Sequence, residues 1–573
     1  MQQNSLSANF TDLHEGRNDF FTVSSFSFMK YNIIKKSDFL NKVIVLIKMT
    51  FFSNEFFFFN LLNVFYYKFD YSEFSLWVVY PELLLFLIWF VFLFLIIFNF
   101  RLVYIHNLFE LSLTLLFLFC IYLFFNLETT SNLKLKFLTN NFWLFDSYSY
   151  FFKVLILYLV GVVFYLSNFT LKKSFITAPI LYEFYLLVLF SLFFIFTLFS
   201  SNDFFFSYLS LEGMSFSLYI VAATIYYNKL SLESAVKYFI LGGIASSFLL
   251  YGIAMLFLVS NSLDFFSVKY FLSQQTNWTN RFDLLFIIIC FSITFFFKIS
   301  AFPCHIWAPD VYEGVWLPVT AFFAIVIKTV IFGFFVRVFG YILYSTVTLW
   351  QPIFIIAALG SIIIGSFGAL VQRRIKRFIA YTSINQVGFL LLGLAMCDLE
   401  GISSAFLFLF LYLIMNIIFF GLILNVRHFV EDTQLVYLSD LYSLAQYDKL
   451  FGSIWALTLF SMAGIPPLGG FFTKLFILSS LINHSFYIVV IIALLFTIIS
   501  SYYYLNFIKY IYFEKKKLLS LFVYVYKTHR YPLLDLFFDL IILICFIITL
   551  SYFVSLAKLL SLDCIFKFSQ FII

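Results

Sequence analysis

Six ionisable side chains stand in or beside long apolar runs of this 573-residue sequence: Glu212, Lys237, Lys298, His305, Lys328 and Lys474. At the centre of a membrane helix a charged side chain costs about 2.5–3.5 kcal/mol on insertion scales, so the set carries a penalty on the order of 12 kcal/mol or more. Chance and simple packing rarely retain such a cost, and proton transfer is the chemistry these groups share. Burial disfavours an ammonium and a nearby carboxylate favours it. A lysine held between the two gains or loses a proton when the carboxylate changes charge. Glu212 and Lys298 read as such an ion pair between helices, with a static salt bridge as the alternative. His305 offers an imidazole that titrates near neutrality and could carry protons between Lys298 and Lys328, or could be a hydrogen-bonded structural histidine. Lys237 and Lys474 fall nearer helix ends, where snorkelling relieves part of the cost.

The elements that position these groups follow from composition. The chain is 63% hydrophobic and 11% charged, with mean hydropathy +1.01, whereas soluble domains carry about 25% charged residues. Such a chain is an all-α polytopic membrane protein. Apolar runs long enough to span fall at 80–100, 104–126, 147–168, 181–201, 203–226, 232–260, 283–303, 318–343, 350–371, 376–397, 402–426, 452–480, 485–508 and 534–556, about 14 helices in all. Residues 1–79 read as an N-terminal extension with an interfacial or extra membrane segment near 43–68, and no cleavable signal peptide is expected. Ninety Phe and thirty-eight Tyr reflect AT-rich codons and point to organellar coding. The six cysteines lack the paired spacing of zinc or iron–sulfur sites, and a net charge of +6 on this length does not imply nucleic acid.

Charge placement supports the span map. Sixteen Lys and Arg, among them Arg373, Arg374, Lys376 and Arg377, lie in loops that follow odd-numbered spans. Five, Lys134, Lys136, Lys269, Arg281 and Arg337, lie in loops or helix ends on the other face. The positive-inside rule puts the sixteen on the matrix or cytoplasmic side.

Two spans carry prolines, at "SAFPCHIWAPD" (300–310) and "AGIPPLGGFFTK" (463–474). Proline breaks the helical ladder, and a membrane tolerates that where the freed groups are buried in protein or line a cavity. Interrupted helices in corresponding places of two halves mark an inverted-repeat transporter core. Ser383, Asn385, Gln386, Asn416, Ser461 and Thr473 thread the later spans, as a water file or as glue between helices.

The blocks "LEGMSFSLYIVAA" (211–223), "SLESAVKYFILGGIASSFLLYGIAML" (231–256), "FKISAFPCHIWAPDVYEGVWLPVTAF" (297–322), "IKRFIAYTSINQVGFLLLGLA" (375–395) and "MAGIPPLGGFFTK" (462–474) resemble the subunit 2 family of NADH dehydrogenase, the innermost antiporter-like subunit of respiratory complex I. The resemblance spans roughly residues 80–556. "PDVYEGVWLPVTAF" and Lys474 suit subunit 2 better than the related subunit 4, and no long lateral helix of the subunit 5 kind follows the last span. It implies fourteen core helices with two inverted five-helix repeats, at 181–343 and 350–508. Helices 7 and 12 are then broken, residues 80–168 form the first three helices, and 534–573 form the last helix and tail. It implies that protons move along a mid-membrane axis. Glu212 matches the carboxylate of the fifth helix, Lys237 the lysine of the sixth and Lys298 that of the seventh. His305 matches the histidine after the broken seventh helix, Lys328 the central lysine of the eighth, and Lys474 the twelfth-helix lysine that faces a neighbouring subunit.

The resemblance further implies a mitochondrial inner-membrane subunit without a cofactor of its own. FMN, iron–sulfur clusters and ubiquinone belong to partner subunits. Partners are the other complex I membrane subunits, especially subunit 4 and the small subunits beside the quinone module, and lipids such as cardiolipin. One departure touches the chemistry: "YTSINQVG" puts Gln386 where the family usually has a histidine, and glutamine does not titrate. Cys304 and Val315–Trp316 also vary from the commoner forms of the motif. A free-standing cation/proton antiporter and a non-conducting structural member are the competing functions.

Overall fold

The computed structural model describes residues 81–91, 93, 136–138, 143–171, 178–274, 281–428, 436–442, 444–447, 449–466, 468–514 and 523–525. The chain divides after Val78, and every described residue lies in the second unit. The N-terminal extension and the expected spans at 104–126 and 534–556 lie outside the described residues.

Within these limits the protein is nearly all helix. A short helix α1 (Pro81–Val91) is followed by the antiparallel strands β1 (Lys136–Leu138) and β2 (Trp143–Phe145). Then come α2 (Ser147–Leu171), α3 (Ala178–Ser200), α4 (Phe204–Ala222), α5 (Lys229–Ser260) and the ten-residue α6 (Phe265–Gln274). Next are α7 (Arg281–Ile299), the half-helix α8 (Trp307–Gly314) and α9 (Leu317–Ile342). Helices α10 (Val347–Val371), α11 (Ile375–Met396) and α12 (Leu399–Asn425) follow. The series ends with the half-helices α13 (Lys449–Ala463) and α14 (Gly469–Asn483) and with α15 (Tyr487–Tyr512). Among the described residues ten helices are long and apolar enough to cross a membrane.

Both proline-marked spans are broken, as their sequences require. Between α7 and α8 the freed carbonyl of Phe297 accepts from Trp307 Nε1 at 2.8 Å. Between α13 and α14 the chain turns through Gly464 at φ +85°, and the carbonyls of Met462 and Ala463 accept from Lys474 Nζ at 3.1 and 2.9 Å. Each break is therefore satisfied by a donor from its own continuation, which is the condition for irregular backbone at membrane depth.

The core sits around α9, α11 and α12, whose apolar windows are 100%, 94% and 83% buried. Helices α5 and α15 bury only 33% of theirs and form flanks. Helix α9 is not regular: it passes through π-helical turns at Phe323–Ile327 and Val336–Ile342. Such turns add a residue to the helical repeat and are common at functional positions. The first one ends immediately before Lys328.

Candidate proton-transfer site

Lys328 is 3% exposed, and its Nζ has no hydrogen-bond partner among the described residues. The Tyr312 ring lies with its centroid 6.0 Å from that nitrogen. Lys298, at the buried end of α7, is 7% exposed and its Nζ is likewise unbonded. An unpaired buried ammonium is costly, since paired or neutral forms are the stable ones. Lys298 near the end of α7 and Lys328 within α9 are thus two buried lysines whose Nζ atoms have no hydrogen-bond partner among the described residues.

Glu212 does not close directly onto Lys298. It lies in a stripe of α4 with Phe205, Leu209, Phe216 and Ile220, all exposed, at the helical spacing of one face. Its Oε2 accepts from Ser215 Oγ at 3.4 Å. No hydrogen bond joins this carboxylate to Lys298 among the described residues.

His305 sits in the part-exposed turn between α7 and α8, with Nδ1 3.2 Å from the Pro303 carbonyl oxygen and its ring against Phe302. Neither lysine bonds to it, and the structure therefore does not place it as a bridge between Lys298 and Lys328. Lys237 is also elsewhere. Its Nζ donates to Asp310 Oδ2 at 2.9 Å and pairs with Glu233 one turn before it, also at 2.9 Å. Across the same cleft Arg377 pairs with Asp310 at 3.5 Å, Arg374 and Arg377 pair with Glu313, and Lys376 Nζ donates to the Val315 carbonyl at 2.5 Å. Half-helix α8 is thus clamped between α5 and the first turn of α11. With its side chain 43% exposed, Lys237 belongs to that rim clamp.

Lys474 is 7% exposed and opens onto a cavity between α11, α12, α13 and α14. Ser383, Gln386, Tyr412, Asn416 and Tyr504 line it as well. Water centres can occupy about 20 Å³ of it, enough for one or two molecules at about 10–15 Å³ each. The polar residues that the sequence threads through the later spans therefore largely converge on one place.

Sequence reasoning passed over two buried ion pairs. Lys153 Nζ on α2 donates to Glu82 Oε1 on α1 at 2.5 Å, with side-chain exposures of 0% and 2%, and Ser200 Oγ reaches the same oxygen at 3.0 Å. Arg337, read from sequence as a helix-end cation, is 5% exposed; its Nη2 binds both Asp146 oxygens at 2.8 and 2.6 Å and its Nη1 the Phe199 carbonyl. A lysine six residues into an apolar helix was the available signal for the first pair.

A family model described as the transmembrane NADH:quinone oxidoreductase/Mrp antiporter domain matches residues 201–500. The chain belongs to this family. Among its relatives, NADH-quinone oxidoreductase subunit N of Pelagibacter ubique is 35% identical over 395 residues, covering 69% of this chain and 81% of that protein. NADH-ubiquinone oxidoreductase chain 2 of the plant Marchantia polymorpha is 34% identical over 321 residues, covering 56% and 65%. Among solved structures, a chain of respiratory complex I from Thermus thermophilus superposes with TM-score 0.66 at 22% identity, covering 83% of this chain and 98% of that one. A chain of the Mrp complex from a Dietzia species gives 0.63 at 17% identity, covering 78% and 81%. These two likenesses bear on the fold. The antiporter-like architecture is therefore established, as is a multi-pass membrane protein related to subunit N and chain 2.

Proposed function

We propose that this chain is the subunit 2 component of a proton-pumping NADH:ubiquinone oxidoreductase in the mitochondrial inner membrane, moving protons while partner subunits carry FMN, the iron–sulfur clusters and quinone. The observation that carries the reading is the pair of buried lysines, Lys298 and Lys328, whose Nζ atoms have no hydrogen-bond partner among the described residues. A charge change near Glu212 alters how firmly Lys298 holds its proton, and Lys298 then exchanges with Lys328. Lys474 passes a proton or a field onward to the neighbouring subunit, subunit 4 on this reading. Coupling needs only that the two charge states differ in stability. Lys237 and its neighbours fix the half-helix that frames the path, and His305 acts at the break. The names of the sequence relatives support an oxidoreductase subunit over a free-standing antiporter.

The test is proton pumping per NADH oxidised in intact assemblies bearing Lys298→Met or Lys328→Met. Loss of pumping with native assembly mass is expected. Normal pumping in both variants would remove the reading, and a small homogeneous particle exchanging Na⁺ or K⁺ for protons would replace it with the antiporter function.

A further inference from the structure

On the function just proposed, a proton reaching Lys474 from Lys328 arrives at a cavity that Gln386 also lines, and Gln386 cannot titrate. Three tyrosines stand on that route. Tyr312 lies under Lys328, and its buried hydroxyl has no hydrogen-bond partner among the described residues. Tyr412 Oη donates to the Ala324 carbonyl at 3.1 Å, inside the π-helical turn that ends at Lys328. Tyr412 also lines the Lys474 cavity. Tyr504 closes the series: it lines the same cavity, its Oη accepts from Gln386 Nε2 at 3.5 Å, and Thr382 and Tyr503 are its other neighbours. Tyr412, Tyr503 and Tyr504 are each 5% exposed or less.

We propose that Tyr412 and Tyr504 are the relay that carries protons from Lys328 to Lys474, hydroxyls doing what a titrating imidazole would otherwise do at position 386. A hydroxyl both donates and accepts. A proton arriving at its oxygen is matched by departure of its own proton to the next acceptor, so no charged phenol persists and the count of protons is unchanged. The bond from Gln386 fixes Tyr504 as acceptor and leaves its O–H to point elsewhere. The π-turn gives Tyr412 a resting acceptor, Ala324 O, that it releases when it passes its proton into the cavity. One or two waters there complete the span to Lys474.

The test uses the intact assembly, with native mass confirming incorporation of each variant. Tyr412→Phe and Tyr504→Phe remove only the hydroxyls and keep the rings. Each is expected to lower pumping-coupled turnover by about tenfold or more, the low end of what a positioned proton-transfer group contributes falling near a hundredfold and a cavity water replacing part of it. Adding Gln386→His to Tyr504→Phe should restore pumping, because an imidazole supplies the missing transfer at the same place. Unchanged pumping in both phenylalanine variants overturns the relay. Loss without rescue by Gln386→His also overturns it, since the hydroxyl would then be serving packing alone. If Tyr504→Phe fails to incorporate, the Tyr412→Phe result decides. Lys328→Met separates the two levels: if it pumps normally, the proposed function falls, and if it fails while both tyrosine variants pump, only the relay does.

Discussion

Replacing Lys153 by Met should release α1 from the bundle. Lipid is as good a solvent for leucine as protein is, so membrane helices associate through packing and polar contacts and not through a hydrophobic drive. Helix α1 packs Phe86 against Phe193 at 5.5 Å and Trp89 against Phe190 at 5.1 Å. Its polar anchor is Glu82, whose Oε1 takes both Lys153 Nζ and Ser200 Oγ while Oε2 is buried with no partner among the described residues. Removing one member of a buried pair strands the other and costs about 3–5 kcal/mol, which is roughly a hundredfold to a few thousandfold in the docked population. Removing both removes the stranded charge as well, and such replacements are often neutral. Phe86→Cys with Phe193→Cys, joined by a bifunctional thiol cross-linker long enough to replace the two rings, reports docking in native membranes. Lys153→Met should abolish most of the cross-link, and Lys153→Met with Glu82→Leu should recover it. A single variant that cross-links like its parent, or a double variant no better than the single, would refute the reasoning.

Three further outcomes follow from the same structure. Arg337→Met leaves Asp146 part-buried and opens the Phe199 carbonyl, so thermal unfolding in detergent should show a loss of about 3 kcal/mol; Arg337→Lys should recover little, because an ammonium does not reproduce the bidentate fork. Gly464→Ala forces a side chain onto a residue at φ +85°, with its Cβ 3.1 Å from Lys474 Cδ and Nζ. It costs about 1–2 kcal/mol in backbone strain, and should impair pumping more than assembly, as read by pumping ratio against native mass. Asp203 and Asp264 lie side by side between helices, and burial raises both carboxyls above their ordinary range, Asp264 adding repulsion at Asp203. A raised carboxyl destabilises the fold while ionised, above its folded pKa, and that loss disappears as pH falls and it protonates. Asp264→Asn should therefore stabilise slightly at pH 7, by about 0.5 kcal/mol or less after solvent screening, with no advantage near pH 4; a stabilisation that grows as pH falls would contradict this.

The helical membrane architecture and its two broken spans were legible because a membrane penalises any broken ladder or unpaired charge, so each one retained stands out. "AFPCHIWAP" and "GIPPLGG" fall where the helices break, and Lys298, Lys328 and Lys474 are buried. What stayed hidden were relations between distant residues. Nothing local in "KVLILYLV" says that Lys153 meets a carboxylate 71 positions earlier. The pattern around Lys237 marks a lysine but not Asp310, the partner from α8 that holds it at the rim. Glu212 reads as a contact partner of Lys298 by motif, while the helical phase of Phe205, Leu209, Phe216 and Ile220 already sets it on the exposed stripe of α4. The same limit applies to Tyr412 and Tyr504: in a chain with thirty-eight tyrosines neither is conspicuous. Only the packing of α11, α12 and α15 brings them to Gln386 and makes the missing imidazole and the two hydroxyls a single question.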